Sequence, residues 1–253
     1  MEIGDPGAAL ALLESLLTDQ LRLLGPDHPT IRKTRRSLAQ AHLLAQDVDR
    51  AVSVLTTALE DCQRVLDADD PETVRMQSTI VDVLLDSRRP DQAVVPLVGL
   101  VNALRSARGP DDPDALKRMV ELASTLLTLQ QPGDAIRILE EALPRCTAVL
   151  GPTAGPTVDA RTKLAIAYQR GGAPAKAIPL QEALLADCVA QNGPDHPQTF
   201  GTRANVALAY YYAGQREDGV RLLEATFVDC EGALGAAHEM SRQLRQVVSQ
   251  LRG

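Results

Sequence analysis

The sequence predicts an all-α fold in which antiparallel helix hairpins stack into a solenoid of about 12 helices. Three observations predict it. The chain has a 42-residue internal repeat, and apolar residues within each repeat recur at helical spacing. The 253 residues are 45 % hydrophobic but only 2 % aromatic, with no Trp. A chain in which Ala and Leu dominate in this way favours helix over strand.

The repeat is marked by the pentapeptide Gly-Pro-Asp-His-Pro, which stands at residues 25–29 and again at residues 193–197. The two copies lie 168 residues apart, which is four times 42. Pentapeptides in the same register stand at residues 67–71, 109–113, 151–155 and 235–239. Because each repeat can bury its apolar faces only against its neighbours, an uninterrupted register predicts stacked repeats with an extended open groove.

Each repeat is predicted to contain two amphipathic helices, A and B. We count positions from the first residue of a repeat, so that Gly25 is position 1 of the first. Apolar residues at positions 8, 11, 14, 15 and 18 predict helix A, and those at 27, 28, 31, 34, 35 and 38 predict helix B.

Prolines mark where these helices begin. Those in the first turn of helix A have a preceding Asp or His as the predicted cap, and they are Pro29, Pro71, Pro113 and Pro197. Those predicted to open helix B are Pro90, Pro132 and Pro174, and Gly171, Gly172 and Gly214 are placed in the preceding turn. Three further prolines are predicted to kink helix B from within, namely Pro96, Pro144 and Pro179.

The chain is predicted to be a single solenoid domain over residues 1–253. Residues 8–24 match helix B of a partial repeat, and residues 235–253 match a closing helix A. Five full repeats lie between them, at residues 25–66, 67–108, 109–150, 151–192 and 193–234. Two explanations of the start in mid-repeat stay open: residues 8–24 cap the solenoid, or the chain is part of a longer protein.

The fourth repeat carries the pattern Leu164-Ala165-x-x-Tyr168 followed by Ala177, which resembles a tetratricopeptide repeat. The 42-residue period and the pentapeptide resemble the kinesin-light-chain type, which is also abundant in bacterial regulatory proteins. The resemblance covers nearly all of residues 8–252. It implies a right-handed superhelix that binds peptides or partner helices on a concave face lined by helix A. The Asn common in helix A of this type is present only as Asn205.

Charge and motifs exclude several classes of function. The net charge of −7, without a Lys/Arg-rich run, argues against direct nucleic-acid binding. No apolar run of 18 residues predicts a membrane span, and the first residues do not resemble a signal peptide, so a cytoplasmic location is expected. No constellation of catalytic residues, metal ligands or cofactor-binding motifs is present, so the chain is expected to be neither an enzyme nor a cofactor carrier.

The repeat register explains the cysteines and histidines. The cysteines all occupy position 38 and are predicted to be small buried residues: Cys62, Cys146, Cys188 and Cys230. Three histidines share position 4 and are predicted to cap helix A: His28, His196 and His238. His42 takes the place of a core Tyr. A metal site is therefore not expected.

Positions 9, 12, 16 and 19 of helix A share a face opposite the packed stripe, and we expect them to line the groove. With Asn205 at position 13, the candidate residues are Lys33, Arg36, Gln40, Arg75, Ser78, Lys117, Val120, Thr162, Ile166, Asn205, Leu208 and Tyr211. The N-terminal residues of this set are basic and the C-terminal ones apolar or small. This predicts a partner with an acidic and an apolar segment, although ordinary solvated charges would give the same basic residues.

The sequence therefore predicts a protein–protein interaction scaffold that binds a peptide or a partner helix in its groove. An alternative is a sensor or regulatory module of a larger signalling or transcription-regulating protein. Self-association through the exposed terminal helices is a further possibility.

Overall fold

A computed structural model describes residues 6–252, and the side chains of residues 7–251. Over that range it contains 12 α-helices and no strand, which confirms the predicted fold class. The helices are α1 (Pro6–Leu24), α2 (Pro29–Leu44), α3 (Val48–Val65), α4 (Pro71–Asp86), α5 (Pro90–Arg108), α6 (Pro113–Thr128), α7 (Pro132–Leu150), α8 (Gly155–Arg170), α9 (Ala177–Asn192), α10 (Pro197–Tyr212), α11 (Arg216–Leu234) and α12 (Glu239–Arg252).

The chain divides into two compact units, residues 1–118 and residues 119–253, with the division inside α6. In the first unit, consecutive helices from α1 to α5 pack against one another. In the second unit, consecutive helices from α7 to α12 do so, and α10 also contacts α12. Each unit thus has the predicted chain of helix hairpins, while a single solenoid over residues 1–253 stays a prediction.

Histidine side chains cap three of the A helices, as predicted. The Nδ1 atom of His28 accepts the backbone N–H of Thr30 at 3.3 Å. His196 accepts the N–H of Gln198 and His238 that of Met240, both at 3.2 Å. Each bond satisfies one of the amide groups that a helix start leaves without a partner inside the helix. The pentapeptide histidines therefore have a structural role in defining where helix A begins.

The turn between helix A and helix B has one residue in the left-handed conformation at position 22. In the last two full repeats this residue is Gly172 or Gly214, as expected of a turn glycine. In the first three repeats it is Gln46 (φ 60°), Arg88 (φ 57°) or Gln130 (φ 59°). Because a Cβ atom is disfavoured at such φ values, these three turns are strained where the glycine turns are not.

The prediction that Pro179 lies deep inside helix B is wrong. The segment Pro174–Lys176 forms a 3-10 helix, and α9 begins only at Ala177. Pro179 is therefore the third residue of α9, in the first turn, where its missing N–H breaks no intrahelical bond. Pro96 and Pro144 do lie inside their helices, α5 and α7.

The four cysteines are buried and free, as the register predicts. The Sγ atom of Cys188 lies 3.6 Å from Oγ1 of Thr199, and that of Cys230 lies 3.5 Å from Oγ of Ser241. In both pairs the hydroxyl comes 11 residues later, at position 7 of the next repeat. Burial raises the pKa of the Cys62 and Cys146 thiols. All four cysteines are therefore small core residues, and Cys62 and Cys146 have little thiolate character.

Candidate functional site

A groove of about 420 Å³ lies between α10 and α12 in the second unit. It combines an apolar floor with three amide side chains: its lining is Gln198, Gly201, Thr202, Ala204, Asn205, Leu208, Met240, Gln243, Leu244 and Val247. Helix α10 is helix A of the fifth repeat, and α12 is helix A of the next. The groove is therefore formed where two successive A helices meet.

Side chains of the floor differ in how much surface they offer. Leu244 is 3 % exposed and Ala204 is 9 % exposed, so both belong to the core beneath the groove. Leu208, Met240 and Val247 are partly exposed and present apolar surface. A Cβ atom at Gly201 would lie 3.5 Å from Cε of Met240, which is an ordinary van der Waals contact across the groove. The floor is thus a shallow apolar surface backed by a well-packed interior.

Asn205 is exposed and lines this groove together with Leu208, so the structure brings these two predicted residues into one site. An amide side chain offers both a donor and an acceptor, which match the backbone groups of an extended peptide. The α12 residues of the groove were not predicted. Continuing the 42-residue count into residues 235–253 places Met240, Gln243 and Val247 at positions 6, 9 and 13, which could have identified them.

Tyr211 does not share this lining. It lies in a second groove of about 490 Å³, lined also by Arg216, Glu217, Val220, Arg221, Glu224 and Leu251. The guanidinium carbon of Arg216 is 5.6 Å from the centre of the Tyr211 ring, and the ring packs edge-on against Tyr212. Tyr211 is therefore partly occupied by contacts within the protein.

In the first unit, the predicted basic residues lie on α2, α4 and the start of α6. Lys33 and Arg75 are exposed and Arg36 is half-buried. Among residues 7–251, none of these three side chains forms an ion pair. Lys117 differs, because its Nζ lies 3.3 Å from Oδ1 of Asp114. Within the part of the chain that the structure describes, this unit therefore presents three cations that form no ion pair.

In the first unit, the polar side chains of Ser78 and Asp82 on α4 already accept hydrogen bonds within the protein. Arg118 donates to Oδ1 of Asp82 at 2.8 Å and to Oγ of Ser78 at 2.7 Å. Nearby, Arg32 is 5 % exposed and its Nη2 lies 3.2 Å from Oε2 of Glu72, which joins α2 to α4. Ser78 therefore helps to hold successive A helices together. Gln40 is exposed, as predicted.

Three other predicted groove residues offer less surface than expected. Val120 is 4 % exposed, so the prediction that it lines an open face is wrong. This side of α6 is buried as well as its packed stripe, since Leu127 on the same side is 5 % exposed. Thr162 and Ile166 on α8 are half-buried. The hydroxyl of Thr162 donates to the backbone oxygen of Val158 at 2.8 Å, so its donor is used within its own helix.

An ion pair between helix A and helix B recurs at positions 11 and 37, which sequence reasoning missed. It is formed by Arg35 with Asp61, Arg161 with Asp187, and Arg203 with Asp229. The second repeat has Gln77 and Ala103 at these positions and the third has Met119 and Arg145, so the Arg and the Asp are present or absent together. The pair is therefore a property of the hairpin rather than of a single site.

A second recurring contact joins helix A to the preceding helix B. The hydroxyl of Tyr168 donates to Oε1 of Glu140, and that of Tyr210 donates to Oε1 of Glu182, both at 2.6 Å. Burial and the bond to Glu140 raise the pKa of Tyr168 to about 12. The hydrogen bond to Glu182 likewise raises the pKa of Tyr210. These tyrosines stabilise the stack of repeats.

Within the described residues, no group of three or more His, Cys, Asp or Glu side chains is arranged to hold a metal ion. None of the helices in that part of the chain has the length and apolar character to cross a membrane.

Comparison with family models identifies two segments as tetratricopeptide repeats, residues 114–188 and residues 199–239. No curated protein matches the sequence. The matched segments begin at the third repeat and lie chiefly in the second unit, which contains the α10–α12 groove.

Solved structures with the same fold include a kinesin light chain of nearly identical TPR-like repeats from Podosopora anserina, 22 % identical, with a TM-score of 0.64 over 82 % of this chain and 98 % of that one. BtubC (BKLC) from P. vanneervenii is 17 % identical, with a TM-score of 0.59 over 92 % of this chain and 93 % of that one. YrrB, described as a TPR protein with an unusual peptide-binding site, is 16 % identical, with a TM-score of 0.54 over 91 % and 97 % of the two chains.

Proposed function

We propose that this chain, a tetratricopeptide-repeat protein with the fold of the kinesin-light-chain-like structures, is an interaction scaffold that holds a segment of another polypeptide in the groove between α10 and α12. The observation that carries the proposal is the composition of that groove. Its apolar floor includes Leu208, Met240 and Val247, and its amide groups come from Gln198, Asn205 and Gln243. This combination suits a peptide, whose apolar side chains need burial while its backbone needs hydrogen-bond partners.

A small polar metabolite would fit this site less well. The floor carries no charged group among its lining residues, and the groove is open rather than enclosed. Charged metabolites are usually held by converging charged side chains or by a helix N-terminus in an enclosed pocket. An extended chain or an amphipathic helix, in contrast, can lie along an open groove and use its whole length.

The first unit supports a second, electrostatic part of the proposal. Lys33, Arg36 and Arg75 carry three positive charges that form no ion pair with the side chains of residues 7–251, in a protein whose net charge is −7. An acidic segment of the partner would find here a local charge opposite to its own. Exposed charges of this kind contribute more to the association rate and to specificity than to affinity. We therefore propose an acidic segment for this patch and an apolar segment for the groove.

The fold comparison supports this proposal in general terms. YrrB, which shares the fold, has a peptide-binding site according to its description.

The experiment is selection of peptides from a random display library against the full chain, followed by affinity measurements with variants. Leu208→Glu places a charge on the apolar floor. We expect it to lower the affinity for the selected peptides by at least about tenfold, which corresponds to about 1.4 kcal/mol. The matched control is Val228→Glu, because Val228 is 65 % exposed on α11, outside the groove. Equal affinities for wild type and Leu208→Glu would contradict the proposal.

The electrostatic part has its own test. The double variant Lys33→Glu and Arg75→Glu should slow association and flatten its dependence on salt, while the dissociation rate changes little. Exchanging the exposed Arg137 and Arg221 for Glu is the charge-matched control, since both lie on B helices. If the two double variants behave alike, the basic patch has no specific part in binding.

A further inference from the structure

The two terminal helices are complementary halves of one repeat. Helix α1 begins at position 24 of the repeat register and ends at position 42, the same bounds as the B helices α5, α7 and α11. Helix α12 begins at position 5, where the A helices α2, α4, α6, α8 and α10 begin. Within the described residues α1 has no helix A of its own repeat, and α12 has no helix B.

The face of α1 that would pack on such a helix A is apolar and exposed. Leu16 at position 34 is 46 % exposed, whereas the residues at that position in the five full repeats are 0 to 9 % exposed. Ala9 at position 27 is likewise exposed, whereas its equivalents in the five full repeats are buried. Leu12 at position 30, which is 72 % exposed, extends the same face, since its equivalents in the five full repeats are half-buried.

Position 27 demonstrates what this face normally contacts. In the fifth repeat it is Gly219, and a Cβ atom there would lie 2.6 Å from the backbone oxygen of Ala207 and 2.7 Å from the backbone nitrogen of Tyr211. Both residues belong to helix A of the same repeat. The uncovered apolar side of α1 is thus shaped for a helix A.

Charges at the two termini match as well. Three full repeats join helix A to helix B by an Arg at position 11 and an Asp at position 37. In α12 position 11 is Arg245, and in α1 position 37 is Asp19. Asp19 is 59 % exposed and contacts Arg22, just as its equivalent Asp61 contacts Arg64 while also binding Arg35. Arg245 is 55 % exposed and contacts Glu231.

We propose that α12 of one copy of this chain packs on α1 of a second copy, so that the two half-repeats complete a hairpin with an ion pair between Arg245 and Asp19. A second copy is the occupant because its α12 has the helix A register, a small residue at position 15 (Ser249, in place of Ala or Val) and the Arg that the Asp of α1 requires. The contact is heterologous, since it joins two different surfaces of the chain. Each copy in such a pair keeps one uncovered terminal helix, on which a further copy can pack.

The charges of the two helices favour this pairing over a contact between two α1 helices. Residues 6–24 contain Glu14, Asp19 and Arg22, and residues 239–252 contain three Arg and one Glu. Two α1 helices would bring like charges together, whereas α1 and α12 attract. This inference does not depend on the proposed peptide groove, since the faces of α1 and α12 involved lie outside it.

The test is sedimentation or light scattering of the full chain up to about 0.5 mM, a concentration at which even weak specific contacts populate. We expect the wild-type mass to rise with concentration beyond that of a dimer. Asp19→Arg and Arg245→Asp should each raise the dissociation constant at least about tenfold. An equimolar mixture of these two variants should again grow beyond a dimer, because each of the two contacts between unlike variants joins an acidic and a basic side chain.

One substitution on the apolar face of α1 and two control substitutions elsewhere separate this contact from a change in folding. Leu16→Lys should abolish the mass increase, while Val95→Lys, at a 79 % exposed site on α5, should not. Glu14→Arg, on another face of α1, should also leave the mass increase unchanged. Circular dichroism must show equal helicity for all variants that are compared. A wild type that stays monomeric at the highest concentration, or a mixture of the two charge variants that does not associate, would overturn the proposal.

Discussion

Gly219 of α11 lies so close to Tyr211 of α10 that a Cβ atom at position 219 would be 2.7 Å from the Tyr211 backbone nitrogen. Four full repeats have Ala at this position and only the fifth has Gly. The helices of the fifth hairpin therefore approach each other more closely than a Cβ atom allows.

The first prediction follows from this contact. Gly219→Ala should lower the free energy of unfolding by about 1 to 3 kcal/mol, because the added methyl group forces the two helices apart. Gly232→Ala in the same helix should instead raise the free energy of unfolding by about 0.5 to 1 kcal/mol. A Cβ atom added at Gly232 would have nothing within 4 Å, and Ala is the better helix former. Urea unfolding measures both. If the two substitutions change the free energy of unfolding in the same direction, the close approach of α10 and α11 at Gly219 is contradicted.

The second prediction concerns the ion pair between Arg35 and Asp61, whose side chains are 11 % and 5 % exposed. Asp61→Ala should cost about 3 to 5 kcal/mol, because it leaves a buried guanidinium without its partner. Adding Arg35→Gln, which gives the residues of the second repeat, should recover part of that loss. Asp229→Ala is the control, because Asp229 is 57 % exposed, and should cost at most about 1 kcal/mol. A double variant as unstable as the sum of its single variants would contradict this account.

The third prediction concerns alkaline pH. Burial and Glu140 raise the pKa of Tyr168 from 10.0 to about 12, so the folded chain keeps this proton after the unfolded chain has lost it. The stabilisation is complete below about pH 10 and is lost as the pH rises towards 12, because the folded state binds more protons in that window. Tyr168→Phe should therefore show a weaker fall of stability above pH 10 than wild type. Tyr212→Phe, at a 59 % exposed site, should behave like wild type.

The fourth prediction concerns the thiols. All four cysteines are buried, so their sulfur atoms are inaccessible in the folded chain, and burial raises the pKa of Cys62 and Cys146. A disulfide reagent at pH 8 should label the native protein at least about a hundredfold more slowly than the urea-unfolded protein. Rapid labelling of one thiol per chain under native conditions would show that one of the four cysteines is accessible rather than buried in the core.

Much of this structure follows from the register of the repeat. The apolar spacing and the position-5 prolines predict the 12 helices because helix starts depend on local chemistry, as the bond from His196 to Gln198 illustrates. Pro179 could not be placed in this way, since whether Pro174 starts an α-helix or a 3-10 turn depends on packing. Val120 was misplaced for a related reason: helical periodicity gives a face but not how far neighbouring helices cover it.

The candidate site was predicted in part. Asn205 and Leu208 line the α10–α12 groove, whereas Tyr211 lies in a separate one. The contribution of Met240 and Val247 was missed because α12 was taken as a cap, although the same count of 42 gives their positions. Ion pairs such as Arg161 with Asp187 join the two helices of one hairpin across 26 residues, and only the recurrence of both residues across repeats could have suggested them.

The most direct test of the central claim is methyl NMR of the full chain with a peptide selected for binding. The account predicts that methyl signals of Leu208, Met240 and Val247 shift on titration with the peptide, while those of Val95 and Val228 stay in place. Shifts confined to Val95, Val228 or other methyl groups outside the α10–α12 groove would contradict it.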